Sequence, residues 1–378
     1  MDKKELSAVK LKYKFNRCYI CHRLLTDNEI GEPMCPDCRR MNSRKRDSFL
    51  KKDKALKGVI ALVTGGRIKI GYETGLALLR KGATVLITTR FPVDAIMRYG
   101  KENDYAEWAD NLMVYGIDFR DIREVERMIS WINSKLPHLD ILINNAAQTI
   151  SRPEEYYQHL RMLEEREGHY LPKQERKCLQ NIKHSKVKQK DIMKILLSPT
   201  EVDENGFQMD LRSRNSWTSQ IEEISTKELL EVQLINVTVP FLLCSRLTGL
   251  MRKSSLKKRF IINVSAMEGR FSKHNKNAFH PHTNMAKASL NMLTRTIAKS
   301  YRQMGIYVNS VDTGWVTDEN PYPIALRNKN NGFTPPLDVI DGAVRVCDPF
   351  LAYYEDGESK KKELEYGKFL KDFHSIEW

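Results

Sequence analysis

The chain has 378 residues, with 62 Lys+Arg against 48 Asp+Glu and a formal net charge of +14. A length of this order allows two or three domains at most. A hydrophobic fraction of 41%, with 13 Phe, 15 Tyr and 5 Trp to bury, excludes disorder as the main state. No apolar run approaches the roughly 20 residues that span a bilayer. The start, Met1-Asp-Lys-Lys-Glu, lacks the apolar core of a signal peptide. Seven cysteines are too sparse for a secreted disulfide scaffold. These features predict a protein without membrane contact in a reducing compartment, the cytoplasm, with the nucleus as the alternative.

The first segment, residues 1–56, reads as a basic cysteine module and linker. From Met1 to Lys57 there are 16 basic and 8 acidic residues, over half of the whole excess of positive charge. Cys18-Tyr-Ile-Cys21 and Cys35-Pro-Asp-Cys38 are two C-x-x-C pairs separated by 13 residues. Each such turn aims two thiolates at one point, and two turns complete the tetrahedral shell of a structural zinc ion. His22 competes as a ligand or stands as a solvated loop residue. Arg39, Arg40, Arg44, Lys45 and Arg46 follow the last cysteine. Either they meet phosphates or an acidic partner, or the module is a cap docked on the main domain with a solvated basic linker. Cys178, Cys244 and Cys347 read as small buried hydrophobes.

Residues 57–378 read as an α/β unit with an insertion at about 151–215. Gly58–Thr64 is a continuous apolar run, as a central parallel strand requires. A glycine-rich turn follows, Thr64-Gly65-Gly66-Arg67-Ile68-Lys69-Ile70-Gly71, then a helix to Gly82 and a second strand, Ala83–Thr89. Strand, turn, helix, strand is the first unit of a dinucleotide fold, in which the backbone meets a pyrophosphate at a helix N-terminus. An NAD-preferring site ends the second strand on an acid. Here that end reads Thr88-Thr89-Arg90, and Arg90, Arg67 and Lys69 are cations placed to meet a 2′-phosphate. NADP(H) is the cofactor this predicts.

The later pieces resemble, in order, the short-chain dehydrogenase/reductase family. Thr64-Gly65…Gly71 is similar to its T-G-x-x-x-G-x-G turn. Asp118, after the strand Leu112–Ile117, resembles the adenine-contacting Asp. Asn144-Asn145-Ala146-Ala147 is similar to N-N-A-G. Asn236, assigned to a strand, stands where the family keeps its active-site Asn. Ser265, ending Phe260–Ser265, matches the catalytic Ser, and Lys287 the Lys of Y-x-x-x-K. Thr313-Gly314 stands for the P-G pair, with Thr317 nearby. The resemblance implies a doubly wound Rossmann-type parallel sheet. It implies contacts to the nucleotide from Thr64, Gly65, Gly66, Arg67, Lys69, Ile70, Gly71, Arg90, Asp118, Asn145, Ala146, Lys287, Thr313, Gly314 and Thr317. It also implies a closing strand in Gly367–Asp372 and homo-oligomers formed through the helices after Asn236 and Ser265.

Two positions depart from the pattern. Lys69 replaces the middle glycine of the turn, a change that pteridine-reductase-like members tolerate. Thr283 replaces the catalytic Tyr four residues before Lys287. In the family the Tyr moves the proton while hydride passes between the nicotinamide and a carbonyl carbon. The Ser binds the substrate oxygen, the Lys tunes the Tyr and holds the ribose, and the Asn anchors a relay water. A Thr hydroxyl titrates far from neutral pH and cannot take the Tyr's role. Histidine can, and His280 and His282 flank the helix start at Pro281. Either serves as acid/base, or caps and packs at a helix end. The sequence thus predicts an atypical reductase of carbonyl or imine substrates with Asn236, Ser265, Lys287, Thr283, His280 and His282 at its centre. The competing reading is a retired member that binds NADP(H) as a sensor or scaffold for protein or RNA.

The insertion carries helical pieces at Glu154–Glu167 and Asp191–Leu197, and seven basic residues against one acid between Lys173 and Lys190. It reads as a lid or partner surface, with RNA or an acidic protein as its partner, or as a solvated excursion. Trp217 is expected to seal its base.

Overall fold

The computed structural model describes residues 15–167, 170–181, 209–272, 276–356 and 363–378. A nine-stranded sheet forms its centre. In chain order the strands are β1 (Ile60–Thr64), β2 (Thr84–Thr89), β3 (Leu112–Gly116), β4 (Ile141–Asn144), β5 (Leu179–Gln180), β6 (Arg259–Ser265), β7 (Ile306–Asp312), β8 (Phe369–Lys371) and β9 (His374–Ile376). Their order across the sheet is β5-β3-β2-β1-β4-β6-β7-β8-β9. All neighbours are parallel except β8 and β9. Strands β1 and β6 are buried at every position, as sheets covered on both faces require.

The helices are α1 (Pro36–Leu50), α2 (Lys69–Arg80), α3 (Pro92–Gly100), α4 (Tyr105–Trp108), α5 (Ile122–Lys135), α6 (Gln158–Glu167), α7 (Lys173–Cys178), α8 (Thr226–Gln233), α9 (Val239–Arg252), α10 (Pro281–Gln303), α11 (Tyr322–Asn330) and α12 (Val339–Asp356). One face of the sheet is covered by α2, α3 and α12, with Leu76, Leu79, Ile96, Val346 and Phe350 in its core. The other face is covered by α5, α9 and α10, with Val125, Met128, Ile129, Leu243 and Leu247. Cys178, Cys244 and Cys347 are buried. Asp121 starts α5 by accepting the Arg123 and Glu124 amide protons, a side-chain N-cap.

Three elements differ from the sequence reading. Asn236 lies on a helix rather than a strand. Residues 226–252 form one continuous helical run, interrupted by a π-helical turn at Leu234–Thr238. The β-branched and apolar residues there also suit a strand, and pattern alone does not separate the two. This run is long and apolar enough to cross a bilayer by length and composition. Its residues Leu243, Leu247, Leu250 and Met251 nevertheless pack into the core beside α5.

The second difference is the insertion, which does more than project over the cleft. It supplies β5 to the sheet edge beside β3, and α6 packs on α3. Its predicted helix at Asp191–Leu197 and the second half of the Lys173–Lys190 run, residues 182–190, lie outside the described residues. The third difference is the basic run after Cys38, which is the docked helix α1 rather than a solvated linker. Asn42 donates to Asp341 at 2.9 Å, Arg46 pairs with Asp338 at 2.7 Å, and Lys45 pairs with Asp348, the two acids named last lying on or beside α12.

Candidate active site

The carboxyl ends of β1, β2, β4, β6 and β7 converge on one crevice, where the order of the strands reverses between β1 and β4. The glycine-rich turn opens it. A Cβ on Gly71 would sit 2.2 Å from the Gly65 carbonyl oxygen and 2.5 Å from Asn145 Nδ2, so only glycine fits. The turn is fixed from beside: the Asn145 and Ala146 amides both donate to Thr64 Oγ1 at 2.9 Å, and Asn145 Nδ2 donates to the Thr64 carbonyl at 2.9 Å. Gly66 presses on Ile87, where a Cβ would lie 2.7 Å from the Ile87 side chain. Lys69 adopts φ +53°, the left-handed region that its replaced glycine would suit.

The three cations of this region have separate environments. Arg67 turns inward and pairs with Asp94 at 2.6 Å, which also binds Arg98 at 2.8 Å. Lys69 spans to Glu319 at 3.6 Å, in the segment after β7. Arg90 is exposed and pairs with no carboxylate among the described residues. Its guanidinium lies 4.3 Å over the Tyr157 ring and 5.5 Å from Phe91. Tyr157 belongs to the insertion, and the insertion's Glu164 accepts the Val93 and Asp94 amides at 2.9 Å each, capping α3. Asp118 is held in a forked pair by Arg120, which also reaches Glu231 at 3.3 Å. Burial pushes the Asp118 carboxyl up, and the Arg120 guanidinium outweighs it and leaves the group below its ordinary value.

On the other side of the crevice, α10 presents a polar stripe at helical spacing: Thr283, Lys287, Asn291 and Thr294, all buried. Lys287 Nζ donates to the Val264 carbonyl at 2.9 Å. Burial pushes its amine down to about 8, against the pull of Glu268 and Asp312. Ser265 Oγ donates to Asn291 Oδ1 at 2.6 Å. Asn263 bridges from Asn144 at 2.8 Å to Thr294 at 2.8 Å, and Ser310 joins Thr294 at 2.8 Å, a polar ladder across three strands and the helix. Thr283 Oγ1 is buried and has no hydrogen-bond partner among the described residues. Asn236, on the π-helical turn, grips the main chain of Gln148: its Oδ1 accepts the amide at 2.8 Å and its Nδ2 donates to the carbonyl at 3.1 Å. π-Turns recur at functional sites.

The two histidines separate. His282 is buried and faces Glu228 at 3.4 Å, with neither ring nitrogen in a good hydrogen bond. His280 caps α10 in the left-handed conformation, φ +42°. It stacks on Trp217, ring centroids 4.1 Å apart and 10° from parallel. Its Nδ1 lies 3.1 Å from Asn284 Oδ1. His280 and Trp217 line a cleft of about 230 Å³ together with Glu268, Lys276, Asn284 and Asn320. The structure thus anchors Lys287 on the main chain next to Ser265 and puts His280, not His282, on the wall of the cleft with Trp217. Thr313 and Gly314 lie at the end of β7, and Thr317 donates to Glu319 at 2.6 Å.

Residues 59–163 match the short chain dehydrogenase model, and residues 212–330 match the model described as enoyl-(acyl carrier protein) reductase. The chain belongs to the short-chain dehydrogenase/reductase family. An uncharacterized protein, R665, of Acanthamoeba polyphaga mimivirus is 32% identical over 369 residues, 94% of this chain and 75% of that protein. The (+)-neomenthol dehydrogenase of Capsicum annuum is 36% identical over 89 residues, 23% of this chain and 28% of that enzyme. Among solved structures, the carbonyl reductase Sniffer of D. melanogaster aligns with a TM-score of 0.53 at 18% identity, covering 85% of this chain and all of that one. The Pseudomonas aeruginosa RhlG/NADP complex aligns with a TM-score of 0.53 at 18% identity, covering 85% and 97%. Like other short-chain dehydrogenases this chain is a Rossmann-type α/β protein.

Sequence reasoning missed Asn291, Arg120 and the insertion's Tyr157. Asn291 was the most findable, since it stands four residues after Lys287 on the same helical face. Arg120 and Tyr157 carry no spacing signal.

Near the N-terminus, the four sulfurs of Cys18, Cys21, Cys35 and Cys38 lie within 4.8 Å of one another, and those of Cys21 and Cys35 are 3.8 Å apart. Spokes of ~2.3 Å at tetrahedral angles put sulfurs about 3.8 Å apart.

Proposed function

We propose that this chain is an NADP(H)-dependent oxidoreductase acting on a small carbonyl or imine compound, with a structural zinc ion held by Cys18, Cys21, Cys35 and Cys38. The observation that carries the first part is the anchoring of a buried Lys287 on the carbonyl of Val264, the residue before Ser265, on the same helix that His280 starts. The turn at Gly65–Gly71 and the unpaired guanidinium of Arg90 fit a phosphorylated dinucleotide, and the donor set of four sulfurs fits zinc.

NADP(H), when bound, supplies or accepts the hydride. The chain's part is the proton and the position. Trp217 fixes the plane of the His280 ring, and Asn284 Oδ1 assigns the proton of the neutral ring to Nδ1. An imidazole so placed is this reading's group for proton exchange with a substrate oxygen or nitrogen. Ser265, its own proton given to Asn291, acts as an acceptor that orients the substrate. Lys287 keeps a positive charge beside it, which stabilises a developing oxyanion.

A second reading has its own support. Thr283 offers no phenol, and the Ser265 proton is already engaged, as a retired member that binds NADP(H) as a sensor or scaffold would allow. Calorimetric titration with NADPH and NADH, followed by absorbance of the reduced nicotinamide over a panel of ketones, aldehydes and imines, separates the two. Turnover that falls at least tenfold in His280→Gln supports the enzyme. Tight NADPH binding without turnover on any compound supports the sensor, and turnover unchanged in His280→Gln removes the imidazole from the mechanism.

A further inference from the structure

The side chain of Tyr19, between the first two cysteines, leaves the sulfur cluster and reaches the loop after β7. Its Oη accepts the Trp315 amide proton at 2.8 Å. It also covers Gly314, φ +78°, where a Cβ would lie 3.0 Å from Tyr19 Oη and 2.4 Å from Leu337 Cδ1. The ring is held from the far side by Lys371 of β8, 4.9 Å from its centroid. Leu337 packs in one apolar cluster with Cys18, Cys35, Cys38, Leu25 and Met34, and Val316 packs against that cluster. The loop at 313–316 is therefore one wall of the cysteine module's own core. Its other side faces the crevice: a Cβ on Gly342 would touch both Ile70 of the glycine-rich turn and Val316, and Glu319 meets Lys69 across the opening.

We infer that Tyr19 is a positioning residue for the nicotinamide half of the nucleotide, and that metal in the cysteine cluster sets the affinity for that half by fixing Tyr19. The inference rests on the nucleotide and zinc readings above. A loop that leaves a strand end holds its conformation only through what backs it. Beside the Gly314 amide's bond to Asp312 and the Trp315 carbonyl's bond from Leu337, the backing from the module is the Tyr19 hydrogen bond and the packing of its cluster on Leu337, and the module is too small to keep a core of its own without a central ion. Tyr19 sits between two of the ligands, and its amide donates to Pro33 of the opposite turn at 2.8 Å. Releasing the ion frees both turns, and the Tyr19 hydroxyl leaves the Trp315 amide unpaired.

The test uses the full chain and two ligands: NADPH, and 2′-phospho-ADP-ribose, which keeps every part except the nicotinamide. Affinities come from calorimetry and metal content from elemental analysis. Tyr19→Phe keeps the ring and the cysteines. It is expected to weaken NADPH about three- to tenfold, the worth of one hydrogen bond, while 2′-phospho-ADP-ribose stays within about twofold and zinc stays near one per chain. Leu337→Ala, which thins the contact and leaves the hydrogen bond, moves the same ratio in the same direction. Removing zinc with a chelator under reducing conditions lowers NADPH affinity further, and re-adding zinc restores it. Equal losses for both ligands, or none, overturn the inference and leave nucleotide binding intact. A protein that binds both ligands but holds no metal overturns the coupling. One that binds neither ligand overturns the nucleotide reading and this inference together.

Discussion

Lys287 carries a charge that its surroundings make costly. Burial lowers its amine to about 8 in the folded chain, against an ordinary value of 10.5. Between those two pH values the unfolded chain holds a proton that the native chain has lost, so stability rises with pH through that window. Below pH 8 the buried ammonium costs on the order of 3 kcal/mol. Urea denaturation of the native chain and Lys287→Met is therefore expected to show the variant ahead at pH 7 and the gap closing by pH 10. Any activity that needs the ammonium falls above pH 8, and Lys287→Arg, which stays charged, removes that limb. A rate profile flat from pH 7 to 10 would exclude this role. The role of this lysine was read from the sequence only through its resemblance to the Lys of Y-x-x-x-K, four residues after Thr283 in the first turns of a helix. The fate of the Ser265 proton was not: it depends on Asn291 meeting Ser265 across a helix–strand contact, which no linear pattern records.

The insertion shows how one element changes the meaning of another. By stacking Tyr157 on Arg90 and capping α3 with Glu164, it builds one side of the crevice from chain that the common fold does not need. Tyr157→Ala removes a cation–π contact worth about 0.5–1 kcal/mol at an exposed site. It is expected to weaken NADPH about two- to fivefold and to leave NADH unchanged, read by parallel titrations; equal loss for both would place Tyr157 outside phosphate recognition. At this scale the sheet strands and α5 were legible, because continuous apolar runs and a 3.6-residue period leave few alternatives. The insertion's strand β5 was not, since two residues carry no pattern and gain their place only by pairing with β3. Nor was the helical setting of Asn236, whose apolar neighbours suit both states.

Across the molecule, the helices α8 to α10 expose more apolar surface than an isolated face explains. Leu230 is 57%, Phe241 53%, Met285 56% and Met292 57% exposed. Exposed apolar side chains on neighbouring helices favour association. A second copy packing α9 and α10 against their equivalents would cover it. Sedimentation is expected to give a dimer or tetramer that Phe241→Glu converts to monomer; a monomeric native chain would refute the interface. The docked position of α1 was partly legible, as a cap, but its ion pairs to α12 join positions some three hundred residues apart, beyond the reach of any local signal.

The ladder of Asn144, Asn263, Thr294 and Ser310 has a kinetic consequence. Asn144 pairs in register with Asn263, and Asn263 with Ser310. A strand that slips by one residue would turn these amides and hydroxyls to the opposite face, into packed hydrocarbon with no partner. The middle of the sheet therefore has no partly shifted state of low energy, and the backbone amides of 141–144, 261–264 and 308–311 are protected as one cooperative block. In deuterium exchange they are expected to open only with global unfolding, whereas the amides of β5 and α6 at the edge exchange through smaller, local openings. Thr294→Val, which removes the shared hydroxyl, should split that block into strands that open separately.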